Sequence, residues 1–167
     1  MLITRLLLPI VFVPMLVEAR LAAINERGQR VLGGIEPPGD VYGIMRVAYP
    51  VVFLAMIAEG AWRPGHEHLL IGAVLFVAAK LLKWSAILTL GPAWTFRVIV
   101  RPGAPLVAAG PYRWLRHPNY VAVVGELIGV ALMSGARVAG PAGTAFFVVL
   151  ILKRIRVEER ALAASGR

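Results

Sequence analysis

The chain contains no cysteine. Disulfides, thiolate zinc sites and a cysteine nucleophile are thereby excluded. Acidic residues are also scarce, nine against eighteen lysines and arginines, and only three of the basic residues are lysines. No segment has the composition of a soluble basic domain that could carry nucleic acid. The formal charge of +9 is therefore assigned to orientation in a bilayer and attraction to anionic lipid, with no nucleic acid partner expected. His66-Glu67-His68 is not a zinc motif, because an i, i+2 spacing turns the two rings to different faces of a helix; no metal is expected.

What is present is apolar. Hydrophobic residues make up 59% of the 167 positions and the mean hydropathy is +0.75, well above a soluble domain. The pattern predicts an all-α, polytopic membrane bundle of about five transmembrane helices in a single domain, residues 1–167. The first span covers about residues 3–22, with Pro9 and Pro14 and the absence of a small-x-small cleavage site arguing against a removed signal peptide. A polar loop, Asn25 to Asp40, follows, with the breakers Gly33-Gly34 and Pro37-Pro38-Gly39. Spans two and three cover about Val41–Ala61 and Leu69–Leu90, so residues 1–90 hold the first three. Residues 91–118 form a long loop whose apolar islands predict an ordered fold. Residues 119–167 hold the fourth span, about Asn119–Gly135, the fifth, about Pro141–Leu152, and a charged helix leaving the membrane.

Five spans place the first loop, the third loop and the C-terminus on one side, and with the span ends that side collects fifteen of the eighteen basic residues. The positive-inside rule puts that side in the cytoplasm and the N-terminus outside. Inside the apolar segments, Glu126 and Lys83 each lie about seven residues from a span end, roughly 10 Å deep at 1.5 Å per residue. Charges at that depth normally pair, so a Lys83–Glu126 pair is expected, with Lys80 as the alternative partner. Gly125-x-x-x-Gly129 is expected to pack against a neighbouring span.

Polar chemistry concentrates in two places. Gly110-Pro111-Tyr112-Arg113-Trp114-Leu115-Arg116-His117-Pro118-Asn119-Tyr120 gathers two arginines, a histidine and two tyrosines at the edge of the fourth span. Pro118 suits the first turn of a helix, His117 would sit near its N-cap, and the helix start offers N–H groups to a carboxylate. The rings of Tyr112, Trp114 and Tyr120 could cover a flat base or cradle a sulfonium. The same composition also suits an interfacial belt of arginines and aromatics. The second place is Arg154 and Glu158, i, i+4 on one helical face. These read either as a surface ion pair or as a guanidinium for an anionic substrate with a carboxylate for a cofactor amine or ribose.

Gly-x-Tyr-x-x-x-Arg-His-Pro-x-Tyr, followed after one span and a turn by Arg-x-x-x-Glu-Glu-x-x-Leu, resembles the isoprenylcysteine carboxyl methyltransferase family over about residues 97–162. The resemblance implies a membrane enzyme that binds S-adenosyl-L-methionine on the cytoplasmic side, with residues 91–162 as the catalytic half. Carried over residue by residue, it implies that Ala104, Pro105, Leu106, Val107, Tyr112, His117, Pro118, Asn119, Tyr120 and Glu158 surround the cofactor. Arg154 matches the arginine that holds the substrate anion, and Arg116 of the motif is grouped with it as a candidate catalytic residue. Arg97 takes the place of a polar residue in the first part of the loop. Membrane sterol reductases that use NADPH share the Arg-His-Pro-x-Tyr corner, and they form the alternative enzyme reading. A small non-enzymatic membrane scaffold or transport subunit is the third.

Methyl transfer from a sulfonium requires alignment and water exclusion more than acid–base chemistry, and a carboxylate acceptor of pKa about 3.5 is already ionised. An amine acceptor would meet an unfavourable field from Arg154 and Arg156. The expected acceptor is therefore an acidic oxygen on a lipophilic molecule that enters from the bilayer. The Ala, Gly and Arg bias resembles a bacterium of high genomic GC, where protein prenylation is generally lacking, so an inner-membrane enzyme is expected. Small bacterial relatives with similar Arg-Val-Ile-Val and Pro-Gly-Ala-Pro-Leu-Val segments look like methyltransferases of long-chain polyketide lipids, whose acidic enols would also suit Arg154.

Overall fold

The structure, a computed structural model, describes residues 2–63, 68–105 and 107–164, with residues 2–4 described by their backbone alone. Residues 64–67, with His66 and Glu67 of the His66-Glu67-His68 segment, and Leu106 of the expected cofactor lining, lie outside the described residues. Five α-helices follow in order: α1 Leu2–Val31, α2 Tyr42–Trp62, α3 Leu69–Leu90, α4 Pro118–Ser134 and α5 Ala139–Ala164. Short 3-10 turns at Gly91–Ala93 and Gly110–Arg113 shape the long loop between α3 and α4. Among the described residues the one β contact is a single antiparallel bridge, Ile35 to Val100.

Helices α1, α2 and α3 are long and apolar enough to cross a membrane. Helix α4 is apolar but has 17 residues, about 25 Å of rise against a hydrocarbon core of about 30 Å. Helix α5 runs 26 residues without a break, from an apolar first half into the charged tail. The chain is therefore an all-helical membrane bundle, and the tail is the end of the fifth helix rather than a separate element.

One boundary differs from the expectation. Asn25 to Val31 is not loop but the last two turns of α1, a 30-residue helix. The sequence there is polar because these turns stand beyond the apolar segment, and it stays helical because its buried face continues: Leu7, Val11, Glu18, Ala22 and Gln29 are all buried, at the alternating 4- and 7-residue spacings of one helical stripe. The breakers begin only at Gly33, whose φ is 80°.

The main core gathers Phe53, Met56, Leu127, Val130, Phe147 and Leu150 from α2, α4 and α5. Helices α3 and α4 approach closest because small residues line their seam. A Cβ on Gly129 would stand 2.9 Å from the Phe76 backbone nitrogen, and one on Gly125 2.9 Å from Ala79 Cβ. The Gly125-x-x-x-Gly129 stripe thus packs against a neighbouring span, as the sequence predicts. At the opposite end from the long loop, Glu59 of α2 caps α5: its carboxylate accepts from the N–H groups of Arg137 (3.1 Å), Val138 (3.0 Å) and Ala139 (2.7 Å).

The buried charges form a group of four. Lys83 Nζ lies 3.3 Å from Glu126 Oε1, and Lys80 Nζ lies 3.1 Å from the same oxygen. The expected pair and its alternative both exist. Glu18 completes the group, 2.9 Å from Lys80 and 2.8 Å from Lys83, and Tyr49 donates its hydroxyl to Glu126 Oε2. Two carboxylates facing two ammoniums leave no net charge in the apolar interior, which is how such a group is tolerated there.

Candidate functional site

The loop between α3 and α4 is ordered by α1 and α2. Asn25 Nδ2 donates to the carbonyls of Gly91 (3.2 Å) and Trp94 (2.8 Å), and Gln29 Nε2 donates to that of Pro92 (2.9 Å). Glu26 accepts from the Arg97 N–H at 3.1 Å. Trp94 fills a second small core with Ala22 of α1 and Ile87 of α3. Asp40, the chain's one aspartate, accepts from the N–H of Tyr42 (3.0 Å) at the start of α2 and from that of Val98 (2.9 Å). Arg97 pairs with Glu36 at 2.6 Å and lies over the Tyr42 ring, 4.8 Å from its centre. Burial alone would raise the Glu36 carboxyl, but hydrogen bonds from Arg97 and Arg30 outweigh it and hold the group below the usual carboxylate range.

A cavity of about 720 Å³ opens between this loop, the start of α4 and the end of α5, within the range of small-molecule sites. Val107, Tyr112, His117, Pro118, Asn119, Tyr120 and Glu158 line it, as do Arg154, Arg116 and Arg97. The structure therefore brings together most of the residues singled out in the sequence. Ala104 and Pro105 are not among the lining residues: the chain turns at Gly103, with φ 74°, and the Ala104 N–H closes the turn onto the Arg101 carbonyl at 3.2 Å. Trp114, considered as a cofactor-facing ring, is 81% exposed and faces away, with Arg113 over its ring. Trp94, Thr95, Glu159 and Leu162 line the cavity and were not singled out. Of these, Glu159 and Leu162 have a legible signal, their places in the Arg-x-x-x-Glu-Glu-x-x-Leu tail.

Gly110 begins the motif in a left-handed conformation, φ 52°, with Thr89 Oγ1 2.5 Å from where a Cβ would stand. That turn folds residues 110–113 back against the end of α3. Pro118 opens α4 with His117 as its N-cap residue. Pro118 has no N–H to offer, and those of Tyr120 and Val121 return to the His117 carbonyl at 3.1 and 3.3 Å, so this helix start presents chiefly the Asn119 N–H to a ligand. The Asn119 side chain adds a different signal. Its Oδ1 is buried and has no hydrogen-bond partner among the described residues, an arrangement that costs roughly 1–3 kcal/mol unless something donates to it.

Tyr120 joins the two halves of the motif. Its hydroxyl accepts from Arg154 Nε at 2.9 Å and donates to Glu158 Oε2 at 3.0 Å. Arg154 and Glu158 are therefore not a surface ion pair: a tyrosine stands between them, and Arg154 is 6% exposed. The remaining guanidinium groups donate to the Phe96 carbonyl and to Met45 Sδ (3.8 Å), with Asp40 3.8 Å away. Arg154 thus ties α5 to α2, α4 and the loop at the inner wall of the cavity. His117 lies between two carboxylates, Nδ1 3.8 Å from Glu158 and Nε2 3.7 Å from Glu159, and its ring packs on Tyr120, centres 5.5 Å apart. Those distances are too long for hydrogen bonds. Arg116 stays exposed at the rim, 3.8 Å from Glu159. Burial, with Glu158 nearby, pushes the Tyr112 hydroxyl well above the usual phenol range, so Tyr112 is a neutral wall.

Helical bundles with a polar cavity at one end of an apolar core form a class of membrane proteins able to meet a water-soluble and a lipid-soluble molecule at one point. The chain belongs to the isoprenylcysteine carboxyl methyltransferase (ICMT) family, whose profile matches residues 70–164. That match covers α3 to α5 and every lining residue of the cavity, and it supports a membrane methyltransferase in general. Over 160 residues the chain is 33% identical to "Uncharacterized protein YpbQ" of Bacillus subtilis (strain 168), covering 94% of this chain and 95% of that one. It is 27% identical over 94 residues to an "Uncharacterized protein" of Haemophilus influenzae (strain ATCC 51907 / DSM 11121 / KW20 / Rd), covering 56% of this chain and 55% of that one. No solved structure matches at a significant level.

Proposed function

We propose that this protein is an S-adenosylmethionine-dependent O-methyltransferase of the membrane, acting on the carboxylate or acidic enol or phenol oxygen of a lipophilic acceptor, of isoprenylcysteine type or a long-chain polyketide lipid. The observation that carries the proposal is the convergence of Glu158, Glu159, His117, Asn119 and two tyrosines on one cavity, with Tyr120 fixed between Arg154 and Glu158. The donor set suits the cofactor. The Asn119 N–H at the helix start and the two carboxylates suit the polar groups of the cofactor, an ammonium and ribose hydroxyls among them, and the tyrosine faces suit a sulfonium. Bound there, S-adenosylmethionine supplies an electrophilic methyl group.

The residues of the chain supply position and field. Tyr120, held by Arg154 and Glu158, has one orientation. The apolar groups of Leu90, Trp94, Val98 and Leu162 exclude water from one side of the cavity. Arg154 lends the inner wall a fixed positive charge, which favours an ionised oxygen over an amine as the acceptor. A carboxylate needs no base at neutral pH. In this reading the chain works as one membrane domain, residues 91–162 carry the chemistry, and the positive-inside rule sets the cavity on the cytoplasmic side of a bacterial inner membrane.

The test is transfer of tritium from methyl-labelled S-adenosylmethionine into lipid extract by membranes that hold the protein. Transfer is expected, and Glu158→Ala and His117→Ala are expected to abolish it at normal expression. Cofactor binding unchanged in both variants would remove the site assignment. Binding of a nicotinamide dinucleotide in place of S-adenosylmethionine would make the protein a reductase.

A further inference from the structure

The cavity is walled by residues of α3 to α5 and the loop, yet that loop is held by a helix outside the family match. The large apolar side chains of α1, among them Leu6, Ile10, Val13, Leu16 and Val17, are exposed on the surface of the bundle, where lipid would meet them. Leu7, Val11 and Ala22 pack inward, and directional contacts fix the helix along its own axis more sharply than apolar ones can. Polar contacts do so at two heights. Glu18, 1% exposed, meets Lys80 and Lys83 at 2.9 and 2.8 Å. Two turns further on, the side chains of Asn25 and Gln29 donate to three loop carbonyls, and Glu26 receives the Arg97 N–H.

We infer that α1 is a positioning element of the cavity: Asn25, Glu26 and Gln29 hold residues 91–97 in place, and Glu18 sets the height at which they do so. The 3-10 turn itself meets only the Gly91 carbonyl, through the Trp94 N–H at 3.0 Å; α1 supplies four further hydrogen bonds, to that carbonyl, to those of Pro92 and Trp94, and to the Arg97 N–H, as buried backbone groups in a loop require. These residues touch neither the reacting atoms nor the cavity, so they act through Trp94, Thr95 and Arg97, which line it. The inference rests on the methyltransferase reading for its kinetic consequence but not for its structural one.

The absence of native cysteine makes the structural consequence measurable. Val98, 5% exposed in the loop, is replaced by cysteine in the otherwise cysteine-free chain, and its modification by a water-soluble maleimide is timed in detergent. Combining Asn25→Ala with Gln29→Ala removes three hydrogen bonds. At about a factor of ten per 1.4 kcal/mol, this is expected to speed modification at least tenfold. In the chain without the added cysteine, the same double substitution is expected to raise KM for S-adenosylmethionine about tenfold with kcat within a factor of two. Glu26→Ala should behave alike, while Glu26→Gln, which keeps an acceptor oxygen, should restore wild-type values. Thermal unfolding of each variant checks that the bundle is intact. Unchanged maleimide rates, or a fall in kcat with KM unchanged, would overturn the positioning role. Failure of the unsubstituted protein to bind S-adenosylmethionine would instead strike the methyltransferase reading, and the maleimide rates would still decide the role of α1.

Discussion

The group of four charges makes the sharpest stability prediction. Glu126 lies 3.1 Å from Lys80 and 3.3 Å from Lys83, and at an effective dielectric of about 20 each attraction is roughly 5 kcal/mol. Replacing Glu126 by alanine forfeits both. It also relieves repulsion from Glu18 and removes the dehydration of one carboxylate, so the net cost is about 3–5 kcal/mol, the range for breaking a buried pair. For a chain of this length that is a fall of about 6–20 °C in Tm, read by tryptophan fluorescence in detergent. Adding Lys83→Ala leaves Glu18 and Lys80, a balanced pair 2.9 Å apart, and should recover more than half of the loss. Full recovery is not expected, because Tyr49 still lacks the acceptor it had in Glu126. Lys80→Ala should rescue less, since the Lys80 side chain is 14% exposed against 3% for Lys83 and Lys80 can reach for water by itself. A Glu126→Ala protein as stable as the parent, or one made worse by Lys83→Ala, would refute the argument.

Three further outcomes are expected. Glu59→Ala removes the carboxylate that caps α5 and should cost about 1 kcal/mol, seen as a lower Tm with methyl transfer intact at low temperature. Gly129→Leu forces a side chain onto the Phe76 backbone 2.9 Å away and should prevent assembly of α3 with α4, detected as loss of the monodisperse peak in size-exclusion chromatography. The depressed Glu36 carboxyl favours the folded state above its ordinary value of about 4.3 and loses that effect as pH falls through the lower folded value. The Tm gap between the parent and Glu36→Gln should therefore be open at pH 6 and close steadily below about pH 4.

Much of the bundle was legible because apolar runs and breakers state helix ends directly: Leu69–Leu90 coincides with α3, and Pro118 and Gly135 bracket α4. The end of α1 is not, because the polarity of Asn25 to Val31 is equally that of a loop. Asn25 and Gln29 extend the stripe of Glu18 and Ala22 at helical spacing, and periodicity was the better guide there than hydropathy. The cavity wall formed by His117 to Tyr120 and Glu158 was readable from the motif. The roles within it were less so. Sequence spacing puts Arg154 and Glu158 on one face, but only the packing of α4 against α5 inserts Tyr120 between them. Asp40 likewise reads as a loop residue until the fold brings Val98 and Arg154 to it. The partners of Glu18 are not legible in the sequence at all, since pairing across 62 positions to Lys80 leaves no local trace.

The shortness of α4 has a kinetic consequence. Its polar start, at Pro118, lines the cavity, and 17 residues fall short of a full hydrocarbon core. Under the proposed function, the lipophilic acceptor reaches that cavity from within its own leaflet. Its effective concentration is a mole fraction in two dimensions, and the rate should fall when inert phospholipid is added at constant acceptor and enzyme, even though nothing in the water has changed.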